Sequence, residues 1–156
     1  MPTPTYIPLQ TITLGSAASS VTFASIPQTY RDLVLVVSGS VSVAVGVDSA
    51  YNSDTGNKSR VIMYGSGSSA VSDSFTDSEV IYLGSTQSTA TIQIMDYSAT
   101  DKHKTILARA DAPSNTTMAI AQRWASTAAI NSVALSPRSG RTFSTGSRLS
   151  LYAIEA

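Results

Sequence analysis

Residues 32–47 read DLVLVVSGSVSVAVGV, and this stretch decides the fold class. Its first half, residues 33–37, contains only Leu and Val. A run this short, bounded by Asp32 and by Ser38-Gly39, is typical of a β-strand that is covered on both faces. In residues 41–47 Val alternates with Ser, Ala or Gly, which indicates a strand with one packed face and one small, polar face. The stretch therefore predicts a buried pair of strands at the centre of an all-β protein.

The sequence on both sides of this stretch continues the β pattern. Pro8 lies within the first run and favours the edge of a sheet, whereas the Gly/Ser-rich tract within 66–78 is typical of a flexible or loosely packed segment. The regular spacing of short strands predicts one antiparallel β-sandwich domain, jelly-roll-like, over residues 1–156, with an extended N-terminal arm at about 1–5. The predicted outer strands are 5–14, 19–24, 60–65, 80–83, 89–97, 104–108, 116–124, 129–135 and 149–154.

The composition restricts the class of partner. Ten Lys and Arg balance ten Asp and Glu among 156 residues, so the chain lacks the positive charge that favours nucleic acid or an anionic membrane. Charged residues make up 13% of the chain, about half of the usual share, and Ser and Thr replace them. The absence of cysteine excludes disulfides and thiolate metal sites. We expect no signal peptide, no membrane-spanning segment and no nucleic-acid partner.

No arrangement of residues in the sequence predicts an enzyme. The single histidine, His103, lies between two lysines without an acidic partner nearby, which fits an exposed turn better than a general base. There is no Gly-x-Ser-x-Gly nucleophile motif. Glu79 and Glu155 do not identify the pair of carboxylates that glycoside hydrolysis needs. We therefore expect no catalytic residues, no cofactor and no metal.

The loop at 52–59 is a candidate interaction loop. Asn52, Asp54 and Asn57 supply side-chain oxygen atoms around Gly56, but their order does not match an EF-hand and the closing Glu is missing. The favoured interpretation is an Asx-rich turn in which Gly56 adopts a positive φ. Calcium binding is the weaker alternative.

Three aromatic residues, Tyr97, Trp124 and Tyr152, form a second candidate site. If they were exposed on one surface, they could stack against the rings of a sugar. Packing inside the core or between the sheets is the more ordinary role of such residues. Core packing is therefore the favoured interpretation, and a sugar-stacking platform is the weaker alternative.

Several blocks of sequence, in order over nearly the whole chain, resemble a family of small virion proteins and fibre-tip domains of tailed bacteriophages. The blocks are LQTITLGSAASSVTFASIPQTYRDLVLVVSGS, YNSDTGNKS, MYGSGSSA, IQIMDYSATDKHKTILAR, WASTAAINSVAL and FSTGSRLSLYAI. The departures are small: Asp96 stands where Asn is usual, Ala153 stands where Gly is usual, and Glu155-Ala156 are appended. The combination is far more specific than any one block.

The resemblance implies a β-sandwich component of a phage particle. The leading expectation is a capsid decoration or cement protein on the outer surface of the virion, made in the host cytoplasm. Its partners would be the major capsid protein and further copies of itself, with a trimer as the expected assembly. Candidate contact regions are residues 2–7, 52–59 and 66–78. The alternative is a tail or head fibre module that recognises a glycan of the host surface.

Overall fold

Two antiparallel sheets pack face to face in the computed structural model, which describes residues 4–112 and 116–155. The predicted all-β sandwich is thereby confirmed. The eight-stranded sheet has the order β1 (Tyr6–Thr13), β12 (Arg148–Ile154), β3 (Asp32–Gly39), β8 (Ser88–Met95), β9 (Lys104–Ala112), β10 (Thr116–Trp124), β5 (Lys58–Gly65) and β6 (Ala70–Phe75). The four-stranded sheet has the order β2 (Val21–Phe23), β11 (Val133–Pro137), β4 (Val45–Tyr51) and β7 (Glu79–Leu83).

The chain crosses repeatedly between the two sheets. Each of the four strands in the small sheet is preceded and followed along the chain by a strand of the large sheet. The predicted strand pair within 32–47 is therefore wrong, because β3 pairs with β12 and β8 whereas β4 pairs with β11 and β7. None of the described residues forms a helix that is long and apolar enough to cross a membrane.

Because the chain crosses between the sheets here, β4 begins later in the sequence than predicted. The prediction placed a strand at 41–47, but residues 42–44 form a bend and the strand begins at Val45. Val41 is buried and makes an isolated bridge to Phe143, whereas Val43 is 46% exposed. The alternation of Val is interrupted because the backbone must turn from one sheet to the other at this point.

The central strand and the first edge strand agree with the prediction. Leu33, Leu35 and Val37 of β3 are buried in the core, and Val34 is buried on the opposite face. Strand β1 lies at the edge of the large sheet, where its register shifts between Pro8 and Gln10. Proline is tolerated there because an edge strand leaves some of its amide positions unpaired.

Two predictions need correction in regions of small residues. The tract within 66–78 is loosely packed, since all six residues of β6 are exposed, but β6 is a regular strand that pairs with β5 rather than a flexible connection. The strand predicted at 129–135 is displaced to β11 at its C-terminal end. Burial leaves no pattern in β6, which is fully exposed, whereas β11 does alternate, with Val133 and Leu135 buried, and only its position along the chain differs from the prediction. Residues 1–3 of the predicted N-terminal arm lie outside the described residues.

The core lies between the sheets and contains alternate residues of their strands. In residues 104–111 of β9 and 117–124 of β10, for example, every second side chain is buried. The fully buried large side chains include Phe23, Leu33, Leu35, Tyr51, Ile81, Leu83, Ile94, Tyr97, Lys104, Ile106, Ile130 and Phe143. Lys104 is the one charged residue in this list, and its buried ammonium group needs hydrogen-bond acceptors.

Replacing Gly39 by Ala should destabilise the fold by about 1–3 kcal/mol, the usual cost of overpacking. A Cβ at this position would lie 2.5 Å from Cβ and Oγ of Ser147 and 2.9 Å from its Cα, so backbone as well as side chain must move. Chemical denaturation followed by circular dichroism measures the loss. Gly15→Ala is the matched control, because a Cβ there meets nothing within 4 Å. Equal stabilities of the two variants would contradict the prediction.

Candidate functional site

The candidate interaction loop is held together by its own side chains. Asp54 Oδ1 accepts a hydrogen bond from the amide of Gly56 at 2.7 Å, and Oδ2 accepts bonds from Asn57 Nδ2 at 3.1 Å and Trp124 Nε1 at 2.8 Å. The bonds from Trp124, Asn57 and Gly56 lower the pKa of Asp54. The carboxylate therefore acts as the anchor of an Asx-type turn.

Asn52 connects the same loop to the segment before β11. Its Nδ2 donates to the carbonyl of Ala129 at 2.7 Å, and its Oδ1 accepts from the amides of Asn131 at 2.8 Å and Ser132 at 3.3 Å. The structure thus brings Asn52, Asp54, Gly56 and Asn57 into one turn, as the sequence predicted. Among the described residues, no three His, Asp or Glu side chains are placed to share a metal ion.

The prediction that Gly56 supplies the positive φ is wrong. The left-handed residues of this loop are Asn52, Ser53 and Asn57, with φ of 52°, 66° and 56°. Asparagine tolerates this conformation because its short polar side chain forms local hydrogen bonds. The bonds of Asn52 and Asn57 described above provide that compensation. Whether the loop binds another molecule stays a prediction.

Two buried lysines flank Trp124 at one end of the large sheet. Lys58 and Lys104 are the register partners of Trp124 on the two neighbouring strands, β5 and β9. Lys58 Nζ donates to the carbonyls of Asp54 at 2.7 Å and Gly56 at 3.2 Å, and burial lowers the pKa of this lysine.

Lys104 makes the equivalent contacts on the other side. Its Nζ donates to the carbonyls of Lys102 at 2.9 Å and Thr127 at 3.3 Å, and burial lowers its pKa as well. Because a buried ammonium group needs acceptors, each lysine ties nearby loop backbone to the end of the sheet.

Packing in the core, the favoured interpretation of the three aromatic residues, is confirmed for two of them. Tyr97 is fully buried and Trp124 is 2% exposed, so both belong to the core. The hydroxyl of Tyr97 donates to the carbonyl of Pro27. Tyr152 lies on the outer face of the large sheet, where its ring meets Tyr6 edge to face with centroids 6.5 Å apart. Trp124 and Tyr152 lie on opposite faces of the large sheet because β-strands direct alternate side chains to opposite faces, whereas Tyr97 lies in the turn after β8.

Five charged residues form an ion cluster between the sheets that the sequence prediction missed: Asp48, Arg60, Asp77, Glu79 and Arg138. Arg60 holds Asp77 through two bonds, Nε–Oδ1 at 2.5 Å and Nη2–Oδ2 at 3.1 Å. Arg138 contacts all three acids: Asp48 at 2.6 Å, Glu79 at 2.8 Å and Asp77 at 3.2 Å. The cluster joins β4, β5 and β7 to the residues that follow β11.

Neighbouring residues pack and form hydrogen bonds against the ion cluster. The Arg60 guanidinium lies 4.3 Å from the centroid of the Phe75 ring. Gln122 donates from Nε2 to the carbonyl of Glu79 at 3.0 Å and accepts from the Tyr51 hydroxyl at 3.0 Å. A Cβ on Gly46 would lie within 2.6 Å of the carboxyl carbon of Glu79, so the absence of a side chain there makes room for this acid.

The pKa values within the ion cluster move in opposite directions. Burial alone would raise the pKa of Asp77, but the hydrogen bond and charge of Arg60, together with Arg138, lower it to about 2. Burial raises the pKa of Glu79, although Arg60 and Arg138 act against that shift. Three carboxylates share two guanidinium groups, so the cluster has one excess negative charge when all are ionised. The more deeply buried acid, Glu79, therefore holds a proton more readily.

Replacing Asp77 by Asn should reduce the loss of stability in acid. Because the folded-state pKa of Asp77 lies below its ordinary value of 3.8, its contribution is present above that pH and is lost as the pH falls towards about 2. Glu79 has the opposite sign, since its raised pKa makes protonation favour the folded state. Urea denaturation between pH 5 and about pH 2 measures the difference. Asp101→Asn, in an exposed turn, should keep the wild-type slope; an equally steep decline in the Asp77 variant would contradict the assignment.

The outer face of the large sheet carries an apolar band that crosses the strands. Val61 and Met63 of β5 are 51% and 58% exposed, and Leu107 of β9 is 46% exposed. One row of register partners runs Val61, Ala121, Leu107, Gln93, Val34 and Tyr152. Met63 and Ala119 form part of the next row. We define the apolar band as the exposed residues Val61, Met63, Leu107, Ala119 and Ala121, together with the buried Val34 and the half-buried Tyr152, with Tyr6 at its end. Gln93 on β8 separates the two groups.

The apolar band lies along a shallow groove of about 420 Å³ that Tyr6, Val34, Val61, Met63 and Leu107 help to line. Exposed side chains of this size normally occur singly, whereas a continuous patch marks a contact surface. The sequence contained a signal for it, because both positions of the alternation in 61–63 are apolar: Val61, Ile62 and Met63. Only the pairing of β5 with β10 and β9 brings Leu107 and the two alanines beside them.

Comparisons with known proteins assign no family. No family model matches the chain, and no curated protein matches it. A solved structure of a protein of unknown function from Shewanella oneidensis MR-1 is similar at 11% sequence identity, with 97% of this chain and 76% of that chain covered and a TM-score of 0.25. A TM-score this low carries no argument about the fold or function of this chain.

Proposed function

We propose that this protein is a structural component of a tailed-phage particle, a decoration protein that binds the outer surface of the capsid and stabilises the shell. Two independent features support the proposal. One is the resemblance of the ordered sequence blocks to phage virion proteins. The other, which carries it on structural grounds, is the apolar band on the open face of the large sheet, with Val61, Met63 and Leu107 about half exposed.

The physical properties of the chain suit this role. The turn anchored by Asp54 and the ion cluster keep the two sheets rigid, so binding costs little ordering of the protein itself. The balanced charge of ten acids and ten bases avoids long-range repulsion between copies crowded on a shell. Repeated contacts over a lattice then convert weak individual affinities into strong avidity. The role proposed is that of a binding protein that also contacts other copies of itself, rather than that of an enzyme.

A fibre module that binds a host glycan is the second candidate. The observation that favours it is the Tyr6–Tyr152 pair on the outer face, because Tyr6 is 55% exposed and could stack against a sugar. The candidate interaction loop at 52–59, rich in amides, would supply hydrogen bonds in that case. This pair differs from the three aromatic residues that the sequence suggested, Tyr97, Trp124 and Tyr152, because Tyr97 and Trp124 are buried.

Electron microscopy of purified virions, with antibody labelling of this protein, tests the proposal directly. We expect label over the capsid shell and hundreds of copies per particle by quantitative mass spectrometry. Shells that lack the protein should bind it when it is added back and should then resist heating better. Label confined to the tail, together with saturable binding on a glycan array, would favour the fibre module. Absence from purified virions would overturn both candidates.

A further inference from the structure

We propose that the apolar band binds an amphipathic α-helix of a partner protein, with acidic side chains on both sides of the apolar stripe of that helix. The inference deepens the proposed function, because it names the chemistry of the partner surface that a decoration protein would contact. It depends on three properties of the outer face: the hydrogen bonding of its strands, the width of the band, and the charges beside it.

The hydrogen bonding of the sheet favours a helix over an extended segment. Strands β5, β10, β9, β8, β3 and β12, which carry the band from Val61 to Tyr152, each have a neighbour on both sides. Their backbone groups are therefore used within the sheet, and the outer face offers only side chains. An extended segment lying on this face would lose water from its own amides without gaining partners, whereas a helix satisfies its backbone internally.

The width of the band sets the length of the helix. From β5 to β12 there are five spacings between neighbouring strands, which at about 4.8 Å each span roughly 24 Å. At a rise of about 1.5 Å per residue, roughly 16 helical residues cover this distance. A helix of that length presents four to five apolar side chains on one face by the i, i+3, i+4 repeat.

The charges beside the band favour acidic flanks on the helix. Arg109 lies two residues beyond Leu107 on β9, where it is the register partner of Ala119 and lines the same groove, and Arg123 lies two residues beyond Ala121 on the antiparallel β10. The two arginines therefore lie on opposite sides of the row that joins Leu107 and Ala121. Both are exposed, and the ion pairs formed among the described residues involve neither of them.

The same charges disfavour a second copy of this face as the occupant. The acid nearest to Arg109 on its own strand, Asp111, lies two residues further from Leu107 and accepts a hydrogen bond from the amide of Thr89. Two copies packed face to face would bring arginines together with few acids to oppose them. A partner that carries the opposite charge on both sides of an apolar stripe complements the face instead.

The test uses the purified full chain and two synthetic 16-residue peptides labelled with a fluorophore. Both peptides carry the same leucine stripe at helical spacing; one is flanked by Glu and the other by Lys. Fluorescence anisotropy should show saturable binding of the Glu peptide, weakened by salt, and much weaker binding of the Lys peptide. Met63→Ser and Leu107→Ser should each weaken the affinity for the Glu peptide by about tenfold or more, since each removes a large apolar contact.

Matched variants show whether a loss of peptide binding comes from the apolar band or from a general effect on the protein. Val43→Ser changes an equally exposed apolar residue outside the band and should leave binding unchanged. The double variant Arg109→Glu/Arg123→Glu should reverse the preference between the two peptides. Circular dichroism checks that every variant is folded.

The proposal is overturned if the Glu peptide shows no saturable binding, if the Lys peptide binds equally well, or if Val43→Ser has the same effect as Leu107→Ser. It is also overturned if the chain forms a dimer that Leu107→Ser converts to a monomer, because a second copy then occupies the band. These outcomes are distinct from failure of the capsid proposal. If the protein binds the Glu peptide but is absent from virions, helix binding by the apolar band is supported and the phage role is rejected. If it binds capsids but not the peptide, the phage role is supported and helix binding is rejected.

Discussion

Replacing Arg60 by Met is expected to lower the free energy of unfolding by about 3–5 kcal/mol at neutral pH, the range seen when one partner of a buried ion pair is removed. The Arg60 side chain is only 4% exposed and holds Asp77 through two bonds. Without it, three carboxylates face Arg138 alone. Methionine keeps much of the buried volume, so the loss reports on charge more than on a cavity.

The same variant is expected to recover part of its stability as the pH is lowered from 7 to about 5. Burial already raises the pKa of Glu79, and removal of the nearby Arg60 raises it further. Protonation of Glu79 then relieves the repulsion within the folded protein. Urea denaturation at both pH values measures the effect. Arg109→Met makes the same chemical change at an exposed site and should alter stability by less than about 0.5 kcal/mol; similar stabilities of the two variants would refute the role of the ion cluster.

Truncation of Trp124 to Ala should cost about 3–5 kcal/mol, the usual range for a large aromatic side chain of the core. The indole ring is 2% exposed, lies 5.5 Å from the Tyr51 ring between centroids, and donates to Asp54 at 2.8 Å. Trp124→Phe retains a ring but loses the hydrogen bond, so its cost should be nearer about 1 kcal/mol. Far-UV circular dichroism measures both variants, because the chain contains a single Trp and its fluorescence disappears with it.

Hydrogen exchange adds a local readout to this prediction. In Trp124→Phe the amide of Gly56 should exchange faster, because Asp54 loses one of the bonds that hold the turn. Tyr6→Ala removes an exposed aromatic ring and serves as the control, with a small effect on stability and none on exchange in the loop. Unchanged protection at Gly56 in the Phe variant would show that Trp124 does not support the turn.

The candidate site was predictable from sequence only in part. The cluster of Asn52, Asp54 and Asn57 identified a turn, because Asn and Asp bond to nearby backbone whatever the rest of the fold does. The third acceptor bond of Asp54 comes from Trp124, 70 residues further along the chain. The sequence offered no reason to connect Asp54 with Trp124, because only the tertiary fold brings these two segments together.

The ion cluster left a weak signal in the sequence. Arg60 precedes Ile62 at the same parity, and Gln122 follows Ile120, so each polar residue occupies an inward position within an apolar alternation. A buried polar residue implies a partner, but it does not say which residue the partner is. The five residues of the ion cluster come into contact only because β4, β5, β7 and the segment after β11 converge.

The sequence by itself determined that the chain forms strands, since Leu33, Leu35 and Val37 and the alternation around Ile92, Ile94 and Ile106 depend on local periodicity. It also placed Pro8 at an edge, because proline lacks the amide that an inner strand needs. Only the tertiary structure decided that β3 and β4 lie in different sheets, that β6 is a strand, and that Val61, Leu107 and Tyr152 share one open face. Those features depend on pairings between distant segments, whose free energies arise from contacts that no single stretch of sequence contains.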